Sequence, residues 1–175
     1  MAKHGTDTLP LPVTGHTRPL RTVDARQLAV VLNDSRSNPR KRANLNVHAS
    51  LEDPIQRLFN VVQPGTYIRP HRHELDRWEL FVILQGRAAV LLLNDLGLPS
   101  GTAILDPSGV RAVELAGGHW HTVVALAPDT VLFEVKPGPY RALEDKDFAP
   151  WAAPEGTPNA ALLLLAWETL VAHRS

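Results

Sequence analysis

Four residues of the chain have the types and spacing of a metal-binding cluster. His71 and His73 stand two apart. On a β-strand such residues project from one face, so both imidazoles can reach a single ion at about 2.0–2.1 Å. Glu79 opens the next apolar run after the loop over 74–78, and a strand returning antiparallel brings its carboxylate beside the two rings. The fourth group, His121, lies far along the chain, where the stretch Gly117-Gly118-His119-Trp120 runs into another apolar segment. Three imidazoles and one carboxylate suit one divalent ion per chain of the borderline kind: iron, zinc, manganese, nickel or cobalt. The chain has no cysteine, which excludes thiolate zinc sites, iron–sulfur clusters, disulfides and cysteine nucleophiles together. His119 shares strand parity with His121 but sits at the Gly-Gly turn, which puts it at the rim of the site or behind its ligands. His48 reads either as a capped loop residue or as a group over the cavity mouth.

Further ionisable residues fall in register with the cluster. If the strand keeps period two through Pro70, Tyr67 and Arg69 face inward with His71 and His73. An Arg69 buried there needs a carboxylate or an anionic ligand. Leu132, Glu134 and Lys136 share one face, so Glu134 and Lys136 either project into the barrel or pair on a solvated face; the run is apolar on both parities, which favours the interior. Tyr140, just past Pro137-Gly138-Pro139, hangs over the opening. So placed, Arg69 and Lys136 neutralise an anionic intermediate, while Glu134 or Tyr140 moves a proton.

The elements that must hold these groups are short strands. With 175 residues the chain is one domain, long enough for a core of its own. Apolar runs recur at Gln56–Val62, Thr66–His71, Leu80–Leu84, Ala88–Leu93, Thr102–Leu105, Ala112–Leu115, Thr122–Leu126 and Val131–Lys136. Gly, Pro, Asn and Asp turn signals divide them, Pro99-Ser100-Gly101 among them, and the pattern is that of an antiparallel sandwich or barrel over 55–136. Helical spacing of Leu28, Val31 and Leu32 predicts a helix over 24–34, and the basic, polar stretch Pro39–His48 reads as a solvated connector. Thr157 and Pro158 are an N-cap and a first helical residue, predicting a helix over 158–173. That helix is apolar nearly all round, which calls for burial at a barrel edge or a subunit contact and predicts a homodimer. Residues 1–21, rich in Pro, Gly and Thr, predict a flexible arm ahead of a single domain over 22–175.

Composition narrows the partners. Lys and Arg number 18, as do Asp and Glu, for a formal charge of zero. Without a basic block, nucleic acid is not expected to bind. The apolar stretch 160–167 is far short of the ~20 residues that span a bilayer, and no signal core precedes residue 22. A soluble, cytoplasmic protein with no membrane partner is expected.

The site residues resemble the two motifs of the cupin superfamily, Gly-x5-His-x-His-x3,4-Glu-x6-Gly and Gly-x5-Pro-x-Gly-x2-His-x3-Asn. Gly65-x5-His71-x-His73 and Glu79-x6-Gly86 match the first, and Gly118-x2-His121 matches part of the second. Five residues separate His73 from Glu79 where the motif has three or four, so Glu74 and Asp76 stand as alternatives to Glu79. Ala116 and Ala125 replace the motif's proline and asparagine. More narrowly, the strings Arg42-Ala-Asn44-Leu-Asn46-Val-His48, Pro64-Gly-Thr-Tyr67-Ile-Arg69-Pro-His71-Arg-His73, Phe133-Glu-Val-Lys136-Pro-Gly-Pro-Tyr140 and Asp145-Lys-Asp-Phe148-Ala-Pro-Trp151 resemble the WbuC-type cupin-fold metalloproteins. The resemblance implies an all-β double-stranded β-helix, the jelly-roll cupin barrel, with flanking N- and C-terminal helices, and an association with surface polysaccharide (O-antigen) synthesis. Three functions remain open: a metalloenzyme, such as an isomerase or lyase, acting on a small anionic or hydroxylated carbohydrate-type ligand; a metal-dependent sugar-binding or regulatory module without turnover; and an iron-dependent dioxygenase.

Overall fold

A computed structural model of the chain describes residues 20–141 and 147–173. The arm expected over 1–21 therefore lies, apart from Leu20 and Arg21, outside the described residues. Asp24 caps helix α1 (Ala25–Ser37) in a reciprocal capping box with Gln27. Ten strands follow: β1 (Arg42–Asn46), β2 (Ile55–Val62), β3 (His71–Arg72), β4 (Glu79–Gln85), β5 (Ala88–Leu93), β6 (Pro99–Leu105), β7 (Ala112–Leu115), β8 (Trp120–Ala125), β9 (Thr130–Pro137) and β10 (Asp147–Phe148). Helix α2 (Pro158–Ala172) closes the fold, with the Thr157 hydroxyl accepting from the Ala160 N–H and proline in its first turn.

The strands form two antiparallel five-stranded sheets, in the orders β1-β2-β9-β4-β7 and β10-β3-β8-β5-β6. Phe81, Ile83 and Leu132 from the first sheet meet Ala88, Val90, Leu105 and Val123 from the second in a shared core. This is the jelly roll. Each sheet has a helix on its outer face. Val31 of α1 packs on Val61 and Val131. The stripe Ala160, Leu164, Trp167 and Val171 of α2 packs on Leu91, Leu93, Trp120 and Val124. The barrel-edge burial expected of α2 thus takes one side of it, while Leu162 and Leu165 on the other side are 63% and 59% exposed.

Besides β10, a two-residue strand beyond the barrel expected over 55–136, the elements depart from the sequence reading in four places, each with a local cause. β1 replaces the expected connector, because Ala43 and Leu45 pack against the α1 cluster while Asn44 and Asn46 line a polar cavity. A strand whose inner face is polar carries little hydropathic signal. The run expected over Thr66–His71 pairs only at His71–Arg72; Pro70 has no N–H to give a ladder. Pro99-Ser100-Gly101 is not a turn but the start of β6. The reversal before it is built by Asn94, whose side-chain oxygen accepts from the N–H groups of Leu96 and Leu98. Lastly, α1 runs one turn past residue 34 to Ser37.

An ion-pair cluster ties β1 to the chain ahead of α2. Glu155 accepts from Arg40 and Arg42 at 2.7 and 2.8 Å, and Arg42 also donates to the Thr66 hydroxyl and the Tyr67 carbonyl. Burial works against charge on Glu155, but the two guanidiniums hold its carboxyl down at about 2. Trp167 is the largest apolar side chain of α2 buried on the barrel, stacked on Tyr67 at 5.8 Å. Trp167→Ala is expected to destabilise the fold by about 3–5 kcal/mol, read as a lower midpoint in urea unfolding.

Candidate metal centre

The antiparallel pairing of β3 with β8 sets His71 opposite His121, with ring centroids 4.4 Å apart. His73 is just beyond β3, its ring 5.2 Å from His71 and 5.5 Å from His121. The Gly117–Gly118 turn makes this approach possible. Gly118 has φ +80° and donates its N–H to the His73 carbonyl at 2.9 Å. A Cβ on Gly117 would collide with the Glu74 carbonyl oxygen. Glu79, the first residue of β4, reaches in from the other sheet. Nitrogens of the three imidazoles and an oxygen of Glu79 all lie within 4.8 Å of one another, and all four residues are buried.

Backbone carbonyls orient the rings. The Nδ1 of His71 bonds the Arg69 carbonyl at 3.0 Å, and that of His121 the His119 carbonyl at 2.9 Å. A carbonyl can only accept, so Nδ1 carries the proton and Nε2 presents a lone pair, the arrangement of a metal-ligating histidine. His121 Nε2 sits 3.0 Å from Glu79 Oε2, and both atoms are buried without a hydrogen bond. Two such atoms this close need a cation between them, a proton on the imidazole or a metal ion. Ligands at about 2.1 Å from an ion stand no more than about 4.2 Å apart, so small inward shifts complete a shell. The residues therefore fit one divalent ion, and the donor set does not choose among the borderline metals.

Lys136 extends the charge pattern away from the cluster. Its Nζ is 3.6 Å from Glu79 Oε1 and 3.0 Å from Glu134 Oε1. Asn60 donates its amide to the other oxygen of Glu134. Burial alone would raise the Glu79 carboxyl, but the imidazoles of His121 and His73 and the Lys136 ammonium hold it well below the usual carboxylate range. A cavity of about 980 Å³ opens from the cluster, within the range of about 300–1,000 Å³ typical of small-molecule sites. Glu134, Lys136, Asn60, Tyr140 and His48 line it.

Arg69 lines this cavity as well, but its guanidinium is fastened to the wall. It donates to the Ala152 and Ala149 carbonyls and stacks over Phe148 at 4.9 Å. Tyr67 corrects the sequence expectation. Its ring stacks on Trp167 outside the barrel and its hydroxyl donates to the Ala153 carbonyl, because strand alternation does not survive the unpaired residues before Pro70. Glu74 and Asp76 are both exposed. Glu74 pairs with Arg77 at 3.4 Å, and the turn from Glu74 to Arg77 takes up the longer spacing so that Glu79 still reaches the centre. His119 is exposed at the turn. The sequence reading missed Asn44, Asn46 and Asn60; their signal was polar residues recurring at even spacing inside strand-like segments.

A family model described as Domain of unknown function (DUF6016) matches residues 23–105. No curated protein matches the chain. Among solved structures, TT1209 from Thermus thermophilus is 23% identical with a TM-score of 0.50, covering 67% of this chain and 97% of that one. CapF in complex with the inhibitor 3-isopropenyl-tropolone is 17% identical with a TM-score of 0.51, over 60% of this chain and 31% of that one. The Cnp3 cupin domain of Schizosaccharomyces pombe is 14% identical with a TM-score of 0.43, over 55% and 64%. Such likenesses concern the fold alone, a jelly roll of two antiparallel sheets.

Imidazole and carboxylate bind a metal only when deprotonated. The protein loaded with zinc or cobalt is expected to hold about one ion per chain and to lose it as the solution is acidified through the range where imidazoles protonate. His73→Ala/His121→Ala should abolish the binding. Elemental analysis of the dialysed proteins measures both.

Proposed function

We propose that the protein is a metal-dependent enzyme acting on a small, anionic, polyhydroxylated molecule of carbohydrate type, of the isomerase or lyase kind. The observation that carries this reading is the chain Glu79, Lys136, Glu134 and Asn60, its first three members buried, running from the cluster into the cavity. Metal binding needs the first of these and is served by Lys136, which pairs with it, but it has no use for Glu134 and Asn60. Buried charges cost several kcal/mol unless paired, and a structural barrel fills such positions with Val, Leu or Ile.

His71, His73, Glu79 and His121 would hold a divalent ion, whose chemistry there would be Lewis-acid polarisation of a bound oxygen. The chain's own groups do the rest. Glu134, held as a carboxylate by Lys136 and Asn60, accepts a proton from the bound molecule. Lys136 stands between two carboxylates and stabilises negative charge developing beside them. Tyr140, its ring 5.9 Å from Lys136 Nζ, is at the mouth, where its hydroxyl can return a proton. Arg69 positions the 149–152 wall and adds positive potential to the cavity. Tyr67 touches none of the reacting groups and supports that wall from behind.

The resemblance of the sequence to WbuC-type proteins supports a place in surface polysaccharide (O-antigen) metabolism in the cytoplasm. Among the described residues no helix is long and apolar enough to cross a membrane.

Glu134→Gln preserves the shape and the Asn60 and Lys136 neighbours but removes the base. It is expected to lower turnover of a sugar-acid or nucleotide-sugar substrate by about 10²–10⁴-fold with metal content unchanged, measured by NMR of the loaded enzyme with a substrate panel. Oxygen uptake by the iron-loaded protein would assign a dioxygenase instead, and ligand binding without turnover a sugar-binding module.

We further propose that the Leu162 and Leu165 face of α2 pairs with a second copy of the chain. Sedimentation velocity is expected to show a dimer that Leu162→Glu/Leu165→Glu converts to a monomer.

A further inference from the structure

The side of the cavity away from the metal cluster holds a group that the proposed chemistry does not use. His48 is only 5% exposed and lines the cavity. Its Nδ1 is held by the backbone of Arg57, the carbonyl at 2.9 Å and the N–H at 3.0 Å, while its Nε2 is buried with no hydrogen-bond partner. A buried polar atom left this way is costly to the fold unless a bound group answers it. Beside it on β1, Asn46 accepts from the Asn44 amide at 2.7 Å. Among the described residues, the Asn46 amide N–H groups and the Asn44 side-chain oxygen meet no protein partner, and both residues line the same cavity.

Strand register fixes how far this group stands from the metal cluster. Glu79 neighbours Lys136, since Leu80 pairs with Val135; Lys136 pairs with Gln56; and the His48 N–H donates to the Arg57 carbonyl. Glu79, Lys136 and Gln56 thus follow one another across three adjacent strands, and His48, just past the end of β1, stands at the next position out. At about 4.8 Å per strand, His48 lies about 14 Å across the sheet from Glu79. One sugar ring is too short to bridge that span; two linked rings cover it.

The chemistry of the two ends differs. The Lys136 end is charged. At the other end burial pushes the His48 imidazole below its ordinary value, the charges of Arg57 and Arg21 acting the same way and that of Asp53 against them, and the side chains beside it on the cavity wall are the amides of Asn44 and Asn46. Whichever tautomer the ring adopts, a hydroxyl answers it, because a hydroxyl both donates and accepts.

We infer that His48, Asn44 and Asn46 form a second subsite that binds the hydroxyls of an uncharged sugar ring, linked to the acidic end that reaches the metal cluster. The ligand is therefore a two-ring glycoside, acidic at one end only. This rests on the proposed function, and the two can fail separately.

The test uses the zinc-loaded full-length protein with two probes: gluconate, a single hydroxy acid, and lactobionate, the same acid carrying a galactosyl ring. Calorimetry is expected to show lactobionate binding at least tenfold tighter. His48→Ala, and independently the exposed-site variant Asn46→Ala, should bring lactobionate down to the affinity of gluconate while leaving gluconate and the zinc content unchanged. Lactobionate, but not gluconate, should shift the His48 Nε2 resonance in a ¹H–¹⁵N spectrum. Equal affinity for the two probes, with no shift and no effect of either variant, overturns the subsite and leaves the metal-site reading standing. Equal loss of both probes in His48→Ala shows a structural role and overturns it too. Binding of neither probe overturns the subsite together with the reading beneath it.

Discussion

Glu79 is a carboxylate 3% exposed, charged in a place where burial alone would neutralise it, and much of the barrel's architecture follows from keeping it that way. Its compensation comes from both sheets: His73 and His121 from one, Lys136 from the next strand of its own. No local segment could bring those groups together. The sandwich has to close before the carboxylate can be buried at tolerable cost, so the site and the fold are energetically one object. A cation between Glu79 Oε2 and His121 Nε2, a proton or a metal ion, is what lets the imidazole offset the carboxylate.

The same constraint divides the interior. Toward β5, β6 and β7 the space between the sheets is filled by Phe81, Ile83, Leu105, Leu115 and Val123, a dry core that needs no ligand. Toward β1 and β2 the inner face turns polar and the sheets enclose a cavity instead. The apolar half supplies rigidity, and the polar half is the part that a purely structural barrel would not have. α2 and the 147–153 segment brace the outside, and the Arg69 guanidinium, donating to Ala149 and Ala152, joins that brace to the cavity wall. Arg69 thus works as much through position as through charge.

The four cluster residues were legible in the chain because their signal is local: H-x-H on one strand face, a carboxylate at the start of the next run, a histidine after a Gly-Gly turn. Glu134 and Lys136 were legible from parity within β9. Tyr67 was misread by the same rule, since alternation holds only while a ladder enforces the pleat, and residues 66–70 make none. β1 was missed for the converse reason: its inward residues are asparagines, and a hydropathic pattern cannot tell a polar cavity from solvent.

By itself, then, the sequence determined the strand-rich class, the two flanking helices and the identity of the clustered ligands, because periodicity and donor type are properties of short segments. Tertiary structure alone decided how the 74–77 turn lets Glu79 still meet the histidines, that Tyr67 lies behind the wall, and that β1 forms the cavity's far side with His48. Those outcomes depend on pairings between strands far apart in the chain, such as His71 with His121 and Lys136 with Gln56. Register across a closed sandwich is set by the burial of all its faces at once, and no single segment carries that information.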